Sequence, residues 1–144
     1  VVITYRDPVD AIQSAITMMG YGARMRYPEV DRQFLLEYWT ERVDHLLRAC
    51  VRDRDVWPEA QRVDVPFDAL MKDPMHFVRL THAKAGMETT EKAVAEMEHF
   101  VATHPRDRFG QVVYDLEGDF GVSREKLRER FGYYFDAFPQ VAVS

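Results

Sequence analysis

VVITYRDP, residues 1–8, is the stretch of sequence that decides the fold of this chain. Residues 1–5 are all β-branched or aromatic, and such an uninterrupted run predicts a strand that is buried on both faces. Asp7 is a favoured helix N-cap and Pro8 fits the first helical position, so a helix should begin directly after the strand. A buried strand that leads into a helix is typical of an α/β protein with a parallel sheet.

A second strand pattern occurs at residues 62–67, and helical patterns fill the interval between the two strands. A strand, a long helical crossover and another strand predict parallel pairing. Two short strands make a marginal sheet, and parallel sheets contain several strands that are covered on both faces. We therefore expect residues 1–144 to be a single segment, the C-terminal half of a larger α/β domain whose other strands precede residue 1.

Apolar spacing, capping residues and helix breakers predict five helices, at 8–19, 30–52, 74–86, 90–104 and 123–138. The pair Asp73-Pro74 should start the third, Thr89 or Thr90 should cap the fourth, and Ser123 should cap the last. The first helix should stop at Gly20 and Gly22, because glycine is common just after a helix end. Residues 105–121, which include three glycines, are predicted to form the longest loop. Loops of this length are uncommon in compact domains unless they are functional.

Composition excludes several classes of protein. The net charge of −5 is spread without a basic block, so the chain has no electrostatic footprint for DNA or RNA. No apolar run approaches the ~20 residues that a membrane span needs. Cys50 is the single cysteine, which excludes an internal disulfide and a thiolate metal cluster and favours a reducing compartment, with the cytoplasm as the expected location.

The strongest local signal for function is Arg6 followed by the start of a helix. A guanidinium at the carboxyl end of a parallel strand, beside the positive end of a helix dipole, makes an anion site that suits phosphate. Ser14 lies about two turns along the polar face of the same helix and can donate to an oxygen that Arg6 holds. The alternative is that Arg6 pairs with Asp7 or Asp10 and that Ser14 bonds the backbone.

A strand followed by Arg-Asp-Pro and a helix, with Ser14 eight positions after Arg6, resembles the 3'-phosphate-binding motif of sulfotransferases that use 3'-phosphoadenylyl sulfate (PAPS). Three further stretches agree with that family in the same order. FDALMKDP at 67–74 resembles the family's aromatic-acidic-x-Leu-x-x-Asp-Pro segment. RDRFG at 106–110 resembles the basic, glycine-containing loop that closes over the nucleotide.

The fourth stretch is YDLEGDFG at 114–121, which resembles the Tyr-x-Leu-Glu-Asp-Phe-Gly stretch of bacterial members, with Gly118 as an extra residue. The resemblance implies the C-terminal portion of a P-loop-like three-layer α/β fold, helix-rich in this segment. It implies transfer of a sulfuryl group from PAPS to a hydroxyl, or less often an amine, of a small-molecule acceptor. The reaction releases adenosine 3',5'-bisphosphate and is expected to need no metal.

The same resemblance implies roles for individual residues. Arg6 and Ser14 would contact the 3'-phosphate, and Phe67 would lie beside the adenine, where the family often has Tyr. Arg106 and Arg108, with backbone N–H groups near Gly110, would add charge-assisted bonds to the same phosphate. The alternatives are that Phe67 is a core residue and that 106–108 is a solvated charge cluster.

No catalytic residue is expected in this chain. The family's phosphosulfate loop and catalytic base usually precede the matching segment, and no such loop occurs here. None of the five histidines has the spacing of a metal site or a catalytic triad. We expect these residues alone to bind nucleotide weakly and not to turn over. Two alternatives stay open, a non-catalytic helical interaction module and a relative of the P-loop nucleotide kinases.

Overall fold

The computed structural model describes residues 1–105, 110 and 112–141. The chain divides into two compact units. The first unit contains Val1–Tyr5 and Asp55–Val112, and the second contains Arg6–Arg54 and Val113–Ser144.

The first unit is built around two parallel strands, β1 (Val2–Tyr5) and β2 (Val63–Pro66). Val2 pairs with Val63 and Tyr5 pairs with Pro66, which confirms the predicted parallel arrangement. Three helices follow β2, namely α3 (Phe67–Lys72), α4 (Pro74–Lys84) and α5 (Glu91–Thr103). Helices α3 and α4 contact β2 and each other, and α5 contacts α4.

The burial of β1 differs from the prediction. Val2 is 47% exposed and Thr4 is exposed, whereas Tyr5 is buried. The expectation of a strand buried on both faces is therefore wrong for the part of the chain that the structure describes. The reason is that β2 is the one described strand that pairs with β1, and no described element covers Val2 and Thr4.

The second unit is helical. Its longest helices are α1 (Pro8–Arg24) and α2 (Arg32–Asp53), which pack against each other. The helix α6 (Leu116–Phe120) contacts α2, α7 (Arg124–Arg130) contacts α1, and α8 (Gly132–Ala137) contacts α2. Five side chains have no solvent exposure and form the centre of this unit, Val9, Ile12, Ile16, Phe131 and Phe138. Burial of each such side chain stabilises the fold by about 1.5–3 kcal/mol.

Several predicted boundaries were wrong. Helix α1 continues through Gly20 and Gly22 to Arg24, because packing against α2 outweighs the cost of about 1 kcal/mol that each glycine imposes. The predicted loop at 105–121 contains α6. The predicted last helix is divided at Phe131 into α7 and α8.

Helix α6 explains the extra glycine of the fourth motif. Asp115 caps this helix by accepting a bond from the backbone N–H of Gly118 at 2.8 Å. A Cβ atom at position 118 would lie 2.2 Å from Oδ2 of Asp115, which is closer than two such atoms can approach. A side chain at position 118 would therefore force the Asp115 carboxylate to move from its capping position.

None of the described helices is both long enough and apolar enough to cross a lipid bilayer.

Candidate functional site

Arg6 lies between the last residue of β1 and the first turn of α1. Asp7 caps α1 and accepts a bond from the backbone N–H of Val9 at 2.8 Å, and Pro8 occupies the first helical position. The cap, predicted from the Asp-Pro pair, is confirmed. It places Arg6 just before the positive end of a helix of 17 residues.

Asp10 and Ser14 share one face of α1, because residues four positions apart lie above each other on a helix, and Arg6, which precedes the helix, lies close to Asp10. Nη2 of Arg6 lies 3.8 Å from Oδ2 of Asp10, and these side chains are 33% and 42% exposed. The ion pair with Asp10 that the sequence left open is therefore present. An exposed pair of this kind contributes only about 0.2–1 kcal/mol, so a phosphate dianion can compete for Arg6.

Ser14 has a partner that the sequence reading missed. Its hydroxyl lies 3.3 Å from the hydroxyl of Tyr114, one hundred positions later in the chain. Tyr114 is the first residue of the fourth family-like stretch, so residues of the first and fourth stretches meet on this face of α1.

Two arginines of α7 complete the surroundings of the α1 N-terminus. Arg128 donates a short bond to Oδ2 of Asp7, whose side chain is 10% exposed. Arg124 donates to Oδ1 of Asp10 at 2.7 Å and to Oε1 of Gln13 at 3.0 Å. Neither arginine was predicted. Their partners lie more than one hundred positions away, and no spacing rule connects such residues.

We call the five charged residues of this region the α1 ion cluster. It consists of three guanidinium groups and two carboxylates, Arg6, Arg124, Arg128, Asp7 and Asp10. The cluster has one excess positive charge, and it lies beside the positive end of the α1 helix dipole. With the Ser14 hydroxyl on the same face, this donor set suits a phosphate group.

The second unit holds α8 against α2 through a polar contact. The hydroxyl of Tyr133 donates to Oδ1 of Asp44 at 2.8 Å, and the guanidinium of Arg48 lies over the Tyr133 ring at 4.2 Å. Burial, followed by the hydrogen bond to Asp44, raises the pKa of Tyr133 well above its ordinary value. Because α8 follows α7 directly, this contact helps to fix the helix that carries Arg124.

The remaining predicted site residues belong to the first unit. Phe67 is the first residue of α3 and is half-buried, so the strand ends one residue earlier than predicted. Gly110 is exposed and has a φ of 94°, a conformation that favours glycine. Arg106 and Arg108 lie outside the described residues. In the described ranges, no group of three or more His, Cys, Asp or Glu side chains is arranged to hold a metal ion.

Comparison with known proteins decides the family. The family model "Sulfotransferase family" matches residues 1–91. The chain belongs to the sulfotransferase family. Comparison with curated proteins finds no match.

A solved structure supports the fold of this sulfotransferase-family chain. The crystal structure of sulfotransferase STF9 from Mycobacterium avium is similar with a TM-score of 0.76 and 23% sequence identity. The match covers 92% of this chain and 34% of STF9. The chain thus spans about a third of the length of that protein. The predicted family and the predicted fold class, a helix-rich α/β segment with parallel strands, are confirmed.

Proposed function

We propose that this chain binds the 3'-phosphate end of the nucleotide in a PAPS-dependent sulfotransferase. The observation that carries the proposal is the α1 ion cluster, which includes Arg6, keeps one excess positive charge and lies at the start of the helix that carries Ser14. Bound PAPS supplies the activated sulfuryl group, which passes to a hydroxyl or amine of a small-molecule acceptor.

The proposed role of Arg6 and Ser14 is to position the nucleotide. The guanidinium of Arg6 and the hydroxyl of Ser14 donate to phosphate oxygens, and bonds to a charged acceptor are about twice as strong as neutral ones. Holding the nucleotide at this end fixes the orientation of its reacting end. When phosphate binds, it replaces the Asp10 carboxylate as the partner of Arg6. It also replaces the Tyr114 hydroxyl as the partner of Ser14.

The roles of the other predicted site residues remain predictions. Phe67 contacts the adenine through its ring face or edge, without the hydrogen bond that a Tyr provides. Arg106, Arg108 and the backbone near Gly110 add donors to the same phosphate. The catalytic base and the phosphosulfate loop belong to a preceding segment of the same domain, and the exposure of Val2 on β1 supports such a neighbour. The single cysteine favours the cytoplasm as the site of action.

The test is calorimetric titration of the 144-residue chain with adenosine 3',5'-bisphosphate. We expect weak but measurable binding that Arg6→Ala reduces about tenfold or more, because a charge-assisted pair is lost. Arg24→Ala is the matched control, since Arg24 is the last residue of α1, about 24 Å along the helix axis from its first residue. The control should bind like the wild type.

Three outcomes would contradict the proposal. Equal binding by the wild type and Arg6→Ala removes the assigned role of Arg6. Absence of binding favours the helical interaction module, and a preference for ATP favours the nucleotide kinase relative. Turnover of PAPS by the 144 residues alone would overturn the placement of the catalytic base in a preceding segment.

A further inference from the structure

A carboxylate lies in the middle of the proposed phosphate-binding face. Asp10 lies 3.8 Å from the guanidinium of Arg6 and one helical turn from Ser14, and its side chain is 42% exposed. A negative charge at this position repels a phosphate and competes with it for Arg6. The face can bind an anion well only if the charge of Asp10 is neutralised by another group.

Arg124 provides this neutralisation. The two oxygens of Asp10 have different partners, with Oδ1 at 2.7 Å from Arg124 and Oδ2 at 3.8 Å from Arg6. The shorter contact is a good charge-assisted hydrogen bond, whereas the longer one is an ion pair beyond hydrogen-bond distance. Asp10 is therefore bonded mainly to Arg124.

The orientation of Arg124 is set by a second contact. While Nη2 of Arg124 bonds Asp10, Nη1 donates to Oε1 of Gln13 at 3.0 Å, and Gln13 is 8% exposed. The planar guanidinium spans both partners at once, which a lysine cannot do with the same geometry. The buried amide thus directs Arg124 toward Asp10.

We propose that Arg124 is a positioning residue of the 3'-phosphate site, which holds and neutralises Asp10 so that this carboxylate competes less with the phosphate for Arg6. This inference rests on the proposed function. Arg124 acts through Asp10 and needs no contact with the nucleotide. When phosphate binds, Arg6 releases Oδ2 of Asp10, and the carboxylate keeps its bond to Arg124. Without Arg124, Arg6 is the remaining described cation beside Asp10 and is held by it.

The experiment is a double-mutant cycle on the 144-residue chain. Adenosine 3',5'-bisphosphate is the ligand, and adenosine 5'-phosphate, which lacks the 3'-phosphate, is the reference. We expect Arg124→Gln to weaken binding of the bisphosphate about tenfold and to leave binding of the reference ligand unchanged. Asp10→Asn should strengthen bisphosphate binding about threefold, because it removes the opposing charge.

The double variant is the sharpest part of the cycle. Arg124→Gln together with Asp10→Asn restores the wild-type charge balance, so its affinity should return to within about twofold of the wild type. Arg130→Gln is the matched control. Arg130 lies on the same helix and pairs with Asp44, and its loss should leave both affinities unchanged.

Several results would overturn the inference. If Arg124→Gln weakened the binding of both ligands equally, Arg124 would act by stabilising the fold and not by controlling the phosphate site. A double variant as weak as Arg124→Gln would mean that Arg124 does not act through Asp10. If Arg124→Gln does not fold, Asp10→Asn decides the question, since unchanged or weaker bisphosphate binding contradicts the inference. Failure of the proposed function is distinguishable, because Arg6→Ala would then leave bisphosphate binding unchanged; the inference would fall with it.

Discussion

Two Asp-Pro pairs begin helices in this chain, Asp7-Pro8 in the second unit and Asp73-Pro74 in the first. Each aspartate caps its helix by accepting a bond from a backbone N–H, at 2.8 Å and 2.9 Å respectively. Beyond the cap they differ, because Asp7 is 8% exposed and pairs with Arg128, whereas Asp73 is exposed. The same dipeptide sets a helix start in both places, and among the described residues a distant arginine pairs with Asp7 but not with Asp73.

The largest expected effect concerns the core of the unit that holds Asp7. Phe131 is fully buried, whereas Phe100 on α5 in the first unit is 59% exposed. Phe131→Ala should lower the free energy of unfolding by about 3–5 kcal/mol, because it leaves a cavity. Phe100→Ala should cost only about 0.5–1 kcal/mol. Urea denaturation followed by circular dichroism measures both, and equal losses would abolish the contrast between the units.

A smaller effect separates the two caps themselves. Asparagine caps helices as well as aspartate does, so the Asp→Asn substitution removes the charge and keeps the cap. Asp7→Asn should cost about 1–3 kcal/mol, because Arg128 loses its ionised partner at a nearly buried site. Asp73→Asn should change the stability by less than about 0.5 kcal/mol. A loss at Asp73 as large as that at Asp7 would show that the charge contributes through the helix dipole alone.

The smallest effect is a pH dependence of the second unit. The pKa of Tyr133 is raised in the folded protein, chiefly by burial and then by its bond to Asp44. The neutral phenol therefore stabilises the fold fully below the unfolded pKa of about 10, and this contribution is lost as the pH rises above it. Between pH 9 and pH 11 the Tm of the wild type should fall about 1–2 °C more than that of Tyr133→Phe. If Tm fell equally with pH in the two proteins, the phenol of Tyr133 would have the same pKa in the folded and unfolded states.

Local signals in the sequence predicted the caps correctly. Asp7, Asp73 and Ser123 accept backbone N–H bonds at the starts of their helices, and of the two candidates Thr89 and Thr90 it is Thr90 that caps α5. A cap depends on a side chain that reaches only two or three residues ahead, so the sequence contains all the information it needs. The same holds for the parallel strands, whose long helical crossover excludes a hairpin.

Longer-range features could not be predicted. Gly20 was expected to end α1, but packing against α2 decides where α1 ends, and this packing is not encoded in the helix itself. Arg124 and Arg128 meet α1 through contacts that span 114 and 121 positions. Arg6 and Ser14 could be proposed from spacing, whereas the groups that control their charge and hydrogen bonds could not.

The bond between Ser14 and Tyr114 has a consequence for biosynthesis. A growing chain emerges from the ribosome with its N-terminal residues first, so α1 with Arg6 and Ser14 is translated about a hundred residues before Tyr114. Arg124 and Arg128 appear later still. During most of translation Asp7 therefore lacks Arg128, and Asp10 lacks Arg124. The α1 ion cluster is therefore among the last parts of this chain to be completed, although Arg6 is among the first residues to be made.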